Sequence, residues 1–262
     1  MLYKGSFLTA ESTPPHDILD KCIKGFLPHD NENPGHAELL NKLMRESYDY
    51  LSAHPVNKSR VARGLNPANS IWLWGQGTRL ALPSFEGKYG VRGVVITAVD
   101  LIKGIGLCCG LEPVHVVGAT GTIDTNYEGK AQAAIDALRG GCDFAYVHIE
   151  APDECGHRYE IDNKVKSIEL IDSRVMPIIM GGLEEFDDYC IIVLPDHPTP
   201  LSLRTHTRDP VPFAVYRKSE HRNNQGIAGY DEFTAEKTGL YIDKGHDLMG
   251  EFILHKCAAF FR

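Results

Sequence analysis

The chain has 262 residues, enough for one large domain or two smaller ones, and its 43% hydrophobic and 24% charged content is that of a folded globule rather than a disordered polymer. A formal net charge of −8 runs against a nucleic-acid-binding surface, which carries a basic excess. The 7 cysteines show no CxxC spacing, the first ten residues lack a signal-peptide core, and no run reaches the roughly 18 apolar residues of a membrane span. Reduced thiols, no membrane association and a cytoplasmic location are therefore expected.

In chain order, residues 1–35 have little apolar periodicity and many turn formers, among them Pro14, Pro15, Asn33, Pro34 and Gly35. A helix is predicted over 36–53, where Leu39, Leu40, Leu43, Tyr48 and Leu51 recur at helical spacing, with Pro55 as its stop. Residues 70–74 read as an aromatic strand, and Gly75-Gln76-Gly77 lacks the longer glycine pattern of a dinucleotide site or a P-loop. From residue 93 the texture alternates regularly. Strands are predicted at 94–99, 114–117, 144–149, 189–194 and 211–216. Helices are predicted at 100–111, 127–138, 160–183 with an interruption at Pro177, and 246–260. Thr125, three residues before Glu128, offers a capping box for the second of these. Strands alternating with helices imply an α/β fold with a mostly parallel, buried sheet flanked by helices. The domain boundary is placed near residues 83–92, giving segments 1–90 and 91–262.

Two predicted strands run out into ligand-type side chains. The first is followed by Ala151-Pro152-Asp153-Glu154-Cys155-Gly156-His157, with an acid and an imidazole four residues apart, so that one helical turn would project both to one side. The second ends in Leu194-Pro195-Asp196-His197, and a third imidazole, His206, follows closely. In a parallel sheet both strand ends emerge on the edge where ligands of α/β proteins sit. Three imidazoles with two carboxylates suit manganese or zinc, since calcium asks for nearly all-oxygen ligation. Two ions roughly 4 Å apart would form a clamp for phosphoryl chemistry. Taken singly each pair is an ordinary surface or capping feature. His148 reads as a hydrogen-bonded core residue, Cys155 as a small filler or a thiolate ligand, and His246 as structural. Lys103, past a strand's carboxyl end, is either a solvated lysine or a contact for an anionic substrate.

At these residues the chain resembles the cofactor-independent phosphoglycerate mutases of the alkaline phosphatase superfamily, in their archaeal-type branch. The resemblance rests on the block 151–157, on Leu194-Pro195-Asp196-His197-Pro198-Thr199-Pro200, and on Arg204-Thr205-His206-Thr207-Arg208-Asp209-Pro210. Upstream it extends to Leu101-Ile102-Lys103-Gly104, Gly118-Ala119-Thr120-Gly121 and Asp124-Thr125-Asn126-Tyr127. It implies an alkaline-phosphatase-like core with part of an inserted α/β domain, and two divalent metal ions, manganese or zinc first, magnesium or cobalt next. Asp153, His157 and His206 would hold one ion, and Asp196 with His197 would help hold the second. Lys103 would face the substrate phosphate or the nucleophile, as a catalytic and substrate-binding residue, and Arg79 is assigned to the substrate carboxylate. The implied reaction interconverts 2-phosphoglycerate and 3-phosphoglycerate in glycolysis through a phosphoserine intermediate.

The family's chains also carry an N-terminal segment with a metal-binding Asp and the nucleophilic Ser, for which no equivalent is found here. Residues 1–90 are accordingly expected to be part of the inserted substrate-binding domain, and 91–262 an incomplete metal-binding core. A half-site follows, able to bind an ion but not to form the phosphoenzyme alone, with self-association or the missing N-terminal segment as its partners beside a small phosphorylated substrate. A homoserine kinase-like phosphotransferase of the same branch and an inactive metal-binding fragment are the alternative readings.

Overall fold

The computed structural model describes residues 9–78, 81–220 and 229–255, and the chain divides into two compact units, Met1–Leu80 and Ala81–Arg262. The division falls at residue 80, just ahead of the 83–92 stretch, and Phe85 packs inside the second unit, stacked on Phe144 with ring centroids 4.8 Å apart.

In the first unit, helix α1 (Pro34–Ala53) opens on a proline, whose fixed φ and missing N–H suit a first helical position. It buries Ala37, Leu40 and Met44 along one stripe. Asp30 closes the preceding turn by accepting the backbone N–H groups of Glu32 and Asn33. A hydrogen bond from Thr9, reinforced by those two, holds its carboxyl below the usual range. α1 ends at Ala53, just before Pro55 as predicted, and Pro55 then occupies the first position of a second helix, α2 (Pro55–Ala62). Residues 70–74 form no strand. The Ile71 N–H is taken by Ser47 Oγ and the Trp72 indole by the Thr13 carbonyl, so this stretch is bound by side chains and turns rather than by a neighbouring strand. Among its described residues the unit is helical and irregular, with one isolated bridge, Glu11 to His29, in place of the expected α/β pattern.

The second unit contains α3 (Phe85–Tyr89), β1 (Gly93–Ile96), α4 (Asp100–Cys108), β2 (Glu112–Pro113), α5 (Tyr127–Arg139) and β3 (Phe144–Val147). Its sheet order is β2-β1-β3, all parallel, with Val94 opposite Ala145 and Val95 opposite Tyr146. Successive side chains of a strand face opposite ways, which places Val95 in a cluster with Phe85, Leu111 and Phe144, and Val94 and Ile96 in another with Ala134 and Ile179. Complete burial of such side chains stabilises the fold by about 1.5–3 kcal/mol each. α4 lies so close to β1 that a Cβ on Gly106 would come within 2.6 Å of Val95 Cγ1. The predicted strand at 114–117 does not form: the two residues of β2 precede it, and past them the Val114 N–H reaches β1 at the Val95 carbonyl.

Helix α5 is capped by Asn126, whose side chain accepts the Gly129 N–H, and not by Thr125, whose hydroxyl accepts the Thr120 N–H instead. After β3 come α6 (Ala151–His157), α7 (Ile161–Leu170), a π turn at Ile171–Val175 and α8 (Met176–Leu183). The widened turn precedes Pro177, which has no N–H to give and whose ring crowds the turn before it. β4 (Cys190–Val193) and β5 (Ala214–Arg217) pair antiparallel in a separate ladder, so the parallel arrangement holds for the first sheet only. α9 (Glu232–Lys237) and α10 (Leu248–Ile253) follow, and Met249, Phe252 and Ile253 pack on the Phe85–Phe144 cluster. The predicted continuation of the last helix over 256–260 lies outside the described residues. Cys22, Cys108, Cys109, Cys142 and Cys155 are free, but Cys190 is disulfide-bonded, against the expectation of wholly reduced thiols. Among the described residues no helix is long and apolar enough to cross a membrane.

Candidate metal centre

Helix α6 starts four residues after β3 and carries Asp153 and His157 one turn apart, with His157 Nε2 3.3 Å from Asp153 Oδ2. His157 is buried. The chain beyond β4 closes over this helix. A Cβ on Gly156 would stand 2.7 Å from the Thr199 carbonyl, so only a glycine lets the two segments meet at this distance. Lys164 Nζ donates to the same carbonyl at 2.8 Å, and Thr199 Oγ1 donates to Asp153 Oδ1. These contacts bring His206 to the centre, its Nε2 3.1 Å from His157 Nε2 and 3.3 Å from Asp153 Oδ1. His197 completes the group, its ring centroid 3.7 Å from that of His206.

The tautomer of the neutral His157 ring is set by its other nitrogen. Nδ1 lies 2.9 Å from the Arg204 carbonyl oxygen, which can only accept, so Nδ1 donates, and it is Nε2 that faces Asp153 and His206 and carries the lone pair whenever the ring is neutral. A ligating histidine is ordinarily held in this way, by a carbonyl or carboxylate on its far nitrogen. Arg204 has φ +55° and sets its guanidinium over the Tyr159 ring at 5.0 Å; Tyr159 is itself left-handed, at φ +59°. A carboxylate and an imidazole lone pair 3.3 Å apart repel unless a cation lies between them. A tetrahedral ion with bonds of about 2.0–2.1 Å needs ligand atoms about 3.3–3.4 Å apart. The two imidazole nitrogens stand 3.1 Å apart, and each lies 3.3 Å from a different oxygen of Asp153, a donor set close enough together for a divalent ion to be held by both rings and the carboxylate.

The other sequence-predicted residues stand differently. Asp196 lies 3.4 Å from His197 Nε2, with 61% of its side chain exposed, and its charge acts on Tyr146, His148 and Glu150. Lys103 is at the carboxyl end of β1, where its ammonium is held by Asp100 Oδ1 at 3.0 Å and reaches the Ala98 carbonyl at 3.5 Å. Arg79 lies outside the described residues. His148 is the hydrogen-bonded residue expected, with Nδ1 2.9 Å from Thr97 Oγ1 and Nε2 3.2 Å from Glu150 Oε2; burial lowers its pKa. Cys155 is wholly buried, which raises its thiol pKa and fits the filler reading.

Sequence reasoning missed Glu150, Thr199 and Lys130. Glu150 offers an oxygen within 4.8 Å of those of Asp153 and Glu154, and burial together with these two acids pushes its pKa up to about 7. Thr199 lies in the 194–200 segment and orients the Asp153 carboxylate through its hydroxyl. Lys130 falls on the buried stripe of α5 with Tyr127, Ala131 and Ala134, a position that could have singled it out.

The fold and this centre define a metal-binding α/β protein. The chain belongs to the metalloenzyme superfamily, whose family model matches residues 26–250. It is 50% identical over 236 residues to a Geobacter sulfurreducens protein named probable 2,3-bisphosphoglycerate-independent phosphoglycerate mutase, covering 90% of this chain and 58% of that one. It is 47% identical to the 2,3-bisphosphoglycerate-independent phosphoglycerate mutase of Methanosarcina barkeri, covering 94% and 61%. The structure of a cofactor-independent phosphoglycerate mutase from Thermoplasma acidophilum superposes with a TM-score of 0.50 at 25% identity, covering 95% of this chain and 59% of that one. The chain thus spans about 60% of the length of the relatives it matches.

Proposed function

We propose that the chain supplies the metal-binding part of a cofactor-independent phosphoglycerate mutase, which interconverts 2-phosphoglycerate and 3-phosphoglycerate in cytoplasmic glycolysis through a phosphoserine. The observation that carries this reading is the convergence of Asp153, His157 and His206 from α6 and the loop beyond β4, in a chain so similar to proteins of that name. These three hold one divalent ion, and Asp196 with His197 contribute to a second. Manganese or zinc suits the mixed nitrogen and oxygen donors, with magnesium or cobalt as substitutes. Ions bound there neutralise charge on a transferring phosphoryl group and lower the pKa of an attacking hydroxyl.

The protein's own groups have separable tasks. The Arg204 carbonyl keeps the His157 lone pair turned inward, and Thr199 orients the Asp153 carboxylate. Lys103, tethered by Asp100 at the strand edge, offers a point charge to the substrate phosphate, and Arg79 takes the substrate carboxylate.

The experiment measures 3-phosphoglycerate conversion with Mn²⁺ by this chain, alone and mixed with the portion of the Geobacter relative that it does not match. Calorimetric titration with Mn²⁺ and Zn²⁺ runs beside it. Turnover in either arm that is lost on His157→Ala supports the proposal. No divalent-ion binding, or turnover indifferent to His157→Ala, overturns it.

A further inference from the structure

Lys130 is a wholly buried lysine, with no exposed surface, on the inward stripe of α5. Its ammonium donates to the His148 carbonyl at 3.1 Å. That carbonyl belongs to the first residue past β3, where the ladder with β1 ends, and the backbone there still donates from the His148 N–H to the Ile96 carbonyl at 2.9 Å. A carbonyl leaving a sheet inside the protein needs a donor, and Lys130 is the one it finds. Two residues on, Glu150 opens α6, and its carboxyl lies near enough to act on the Lys130 charge. His148 joins the same polar knot through Thr97 on one nitrogen and Glu150 on the other.

A methionine has nearly the same length and fills such a space without the cost of taking an ammonium out of water. What the ammonium adds is direction, through a short bond to one backbone atom and a charge beside one carboxyl. Both act on the strand-to-helix joint from which Asp153 and His157 project.

We propose that Lys130 is a positioning residue of the metal centre, pinning the His148 carbonyl so that α6 begins where Asp153 and His157 meet His206. The inference rests on reading that cluster as a metal site.

The test compares this chain with its Lys130→Met and Lys130→Gln variants, the second keeping a donor without the charge. Two quantities are measured: amide hydrogen exchange over 151–157 with no metal present, and Co²⁺ binding followed by its visible absorption. The expected result is exchange at least tenfold faster over 151–157 in Lys130→Met and a Co²⁺ dissociation constant raised at least tenfold, both partly restored in Lys130→Gln. The core variant Ile135→Ala, from the same helix, lowers the melting temperature without moving the Co²⁺ constant of the folded chain. If Lys130→Met does not fold, Lys130→Gln carries the same comparison, with smaller changes of the same sign expected. Unchanged exchange over 151–157 in the folded variant overturns the positioning role. If the unsubstituted chain binds no Co²⁺, the reading of the centre falls, and the exchange measurement still decides whether Lys130 sets the joint.

Discussion

The Nε2 atoms of His157 and His206 face each other at 3.1 Å across the edge of one carboxylate, although 49 residues separate them in the chain. Two imidazole nitrogens at this distance share either a proton or an ion. Removing an outer-shell partner of a metal typically costs 10–100-fold in affinity, and removing a ligand costs more. His157→Ala or His206→Ala is therefore expected to weaken Mn²⁺ or Zn²⁺ binding more than about 100-fold, as read by calorimetry on the folded chain.

Thr199→Val keeps the shape of a buried side chain and removes the hydroxyl that donates to Asp153 Oδ1. The carboxylate is then free to turn away from His206. Metal affinity should fall about 10-fold while the melting temperature moves little; a melting-temperature loss with unchanged affinity would contradict the orienting role.

Gly156→Ala tests the closeness of α6 to the 199 segment. Alanine favours the helix by up to about 1 kcal/mol, but its Cβ would meet the Thr199 carbonyl at 2.7 Å and Lys164 Nζ at 2.9 Å. Overpacking of this kind costs about 1–3 kcal/mol, so net destabilisation is expected in denaturant melts, with weaker metal binding beside it because the same contact seats His206.

Lys130 carries a pH prediction. Burial lowers its pKa from 10.5 to about 8, with Glu150 opposing the shift. The folded chain therefore carries the full cost of the buried charge below pH 8. That cost is relieved as pH rises from 8 towards 10.5, where the unfolded chain still binds the proton that the folded chain has released. The shift corresponds to about 3 kcal/mol. Measured against Lys130→Met, which has no proton to lose and leaves the His148 carbonyl without its donor, the unsubstituted chain should gain stability by up to that order between pH 7 and pH 10. Urea melts of both across pH 7–10 check it, and a gap constant over this range would exclude the assignment.

Periodicity made much of the second unit readable. The apolar run of β1 and the stripe of α5 each depend on local spacing, and both elements appear within a few residues of their predicted bounds. The antiparallel pairing of β4 and β5 was not readable, because a short apolar run looks the same whichever way its neighbour points. Residues 70–74 misled for a related reason: their alternation suits a strand, but no strand lies beside them among the described residues.

The candidate site divides along the same line. Asp153 and His157 are one helical turn apart, so their meeting is local and legible. The approach of His206 depends on Gly156, Thr199 and Lys164 closing one segment onto another; its closeness to Asp196-His197 along the chain and the family resemblance pointed to it, but the contacts that seat it were not legible. Lys130 was not legible because a lysine is ordinarily solvated, and apolar neighbours at helical spacing do not by themselves show that its ammonium is buried.

The partner that aims His157 is a peptide oxygen, held by a residue in the left-handed region and weighted by a guanidinium resting on a ring. Substituting a side chain cannot delete that oxygen; it can only let the main chain relax and swing it aside. The tautomer at the heart of the cluster is thus written into backbone torsion. Arg204→Gly, which frees that torsion, should loosen the imidazole more than any change made to the ring's own neighbours on α6.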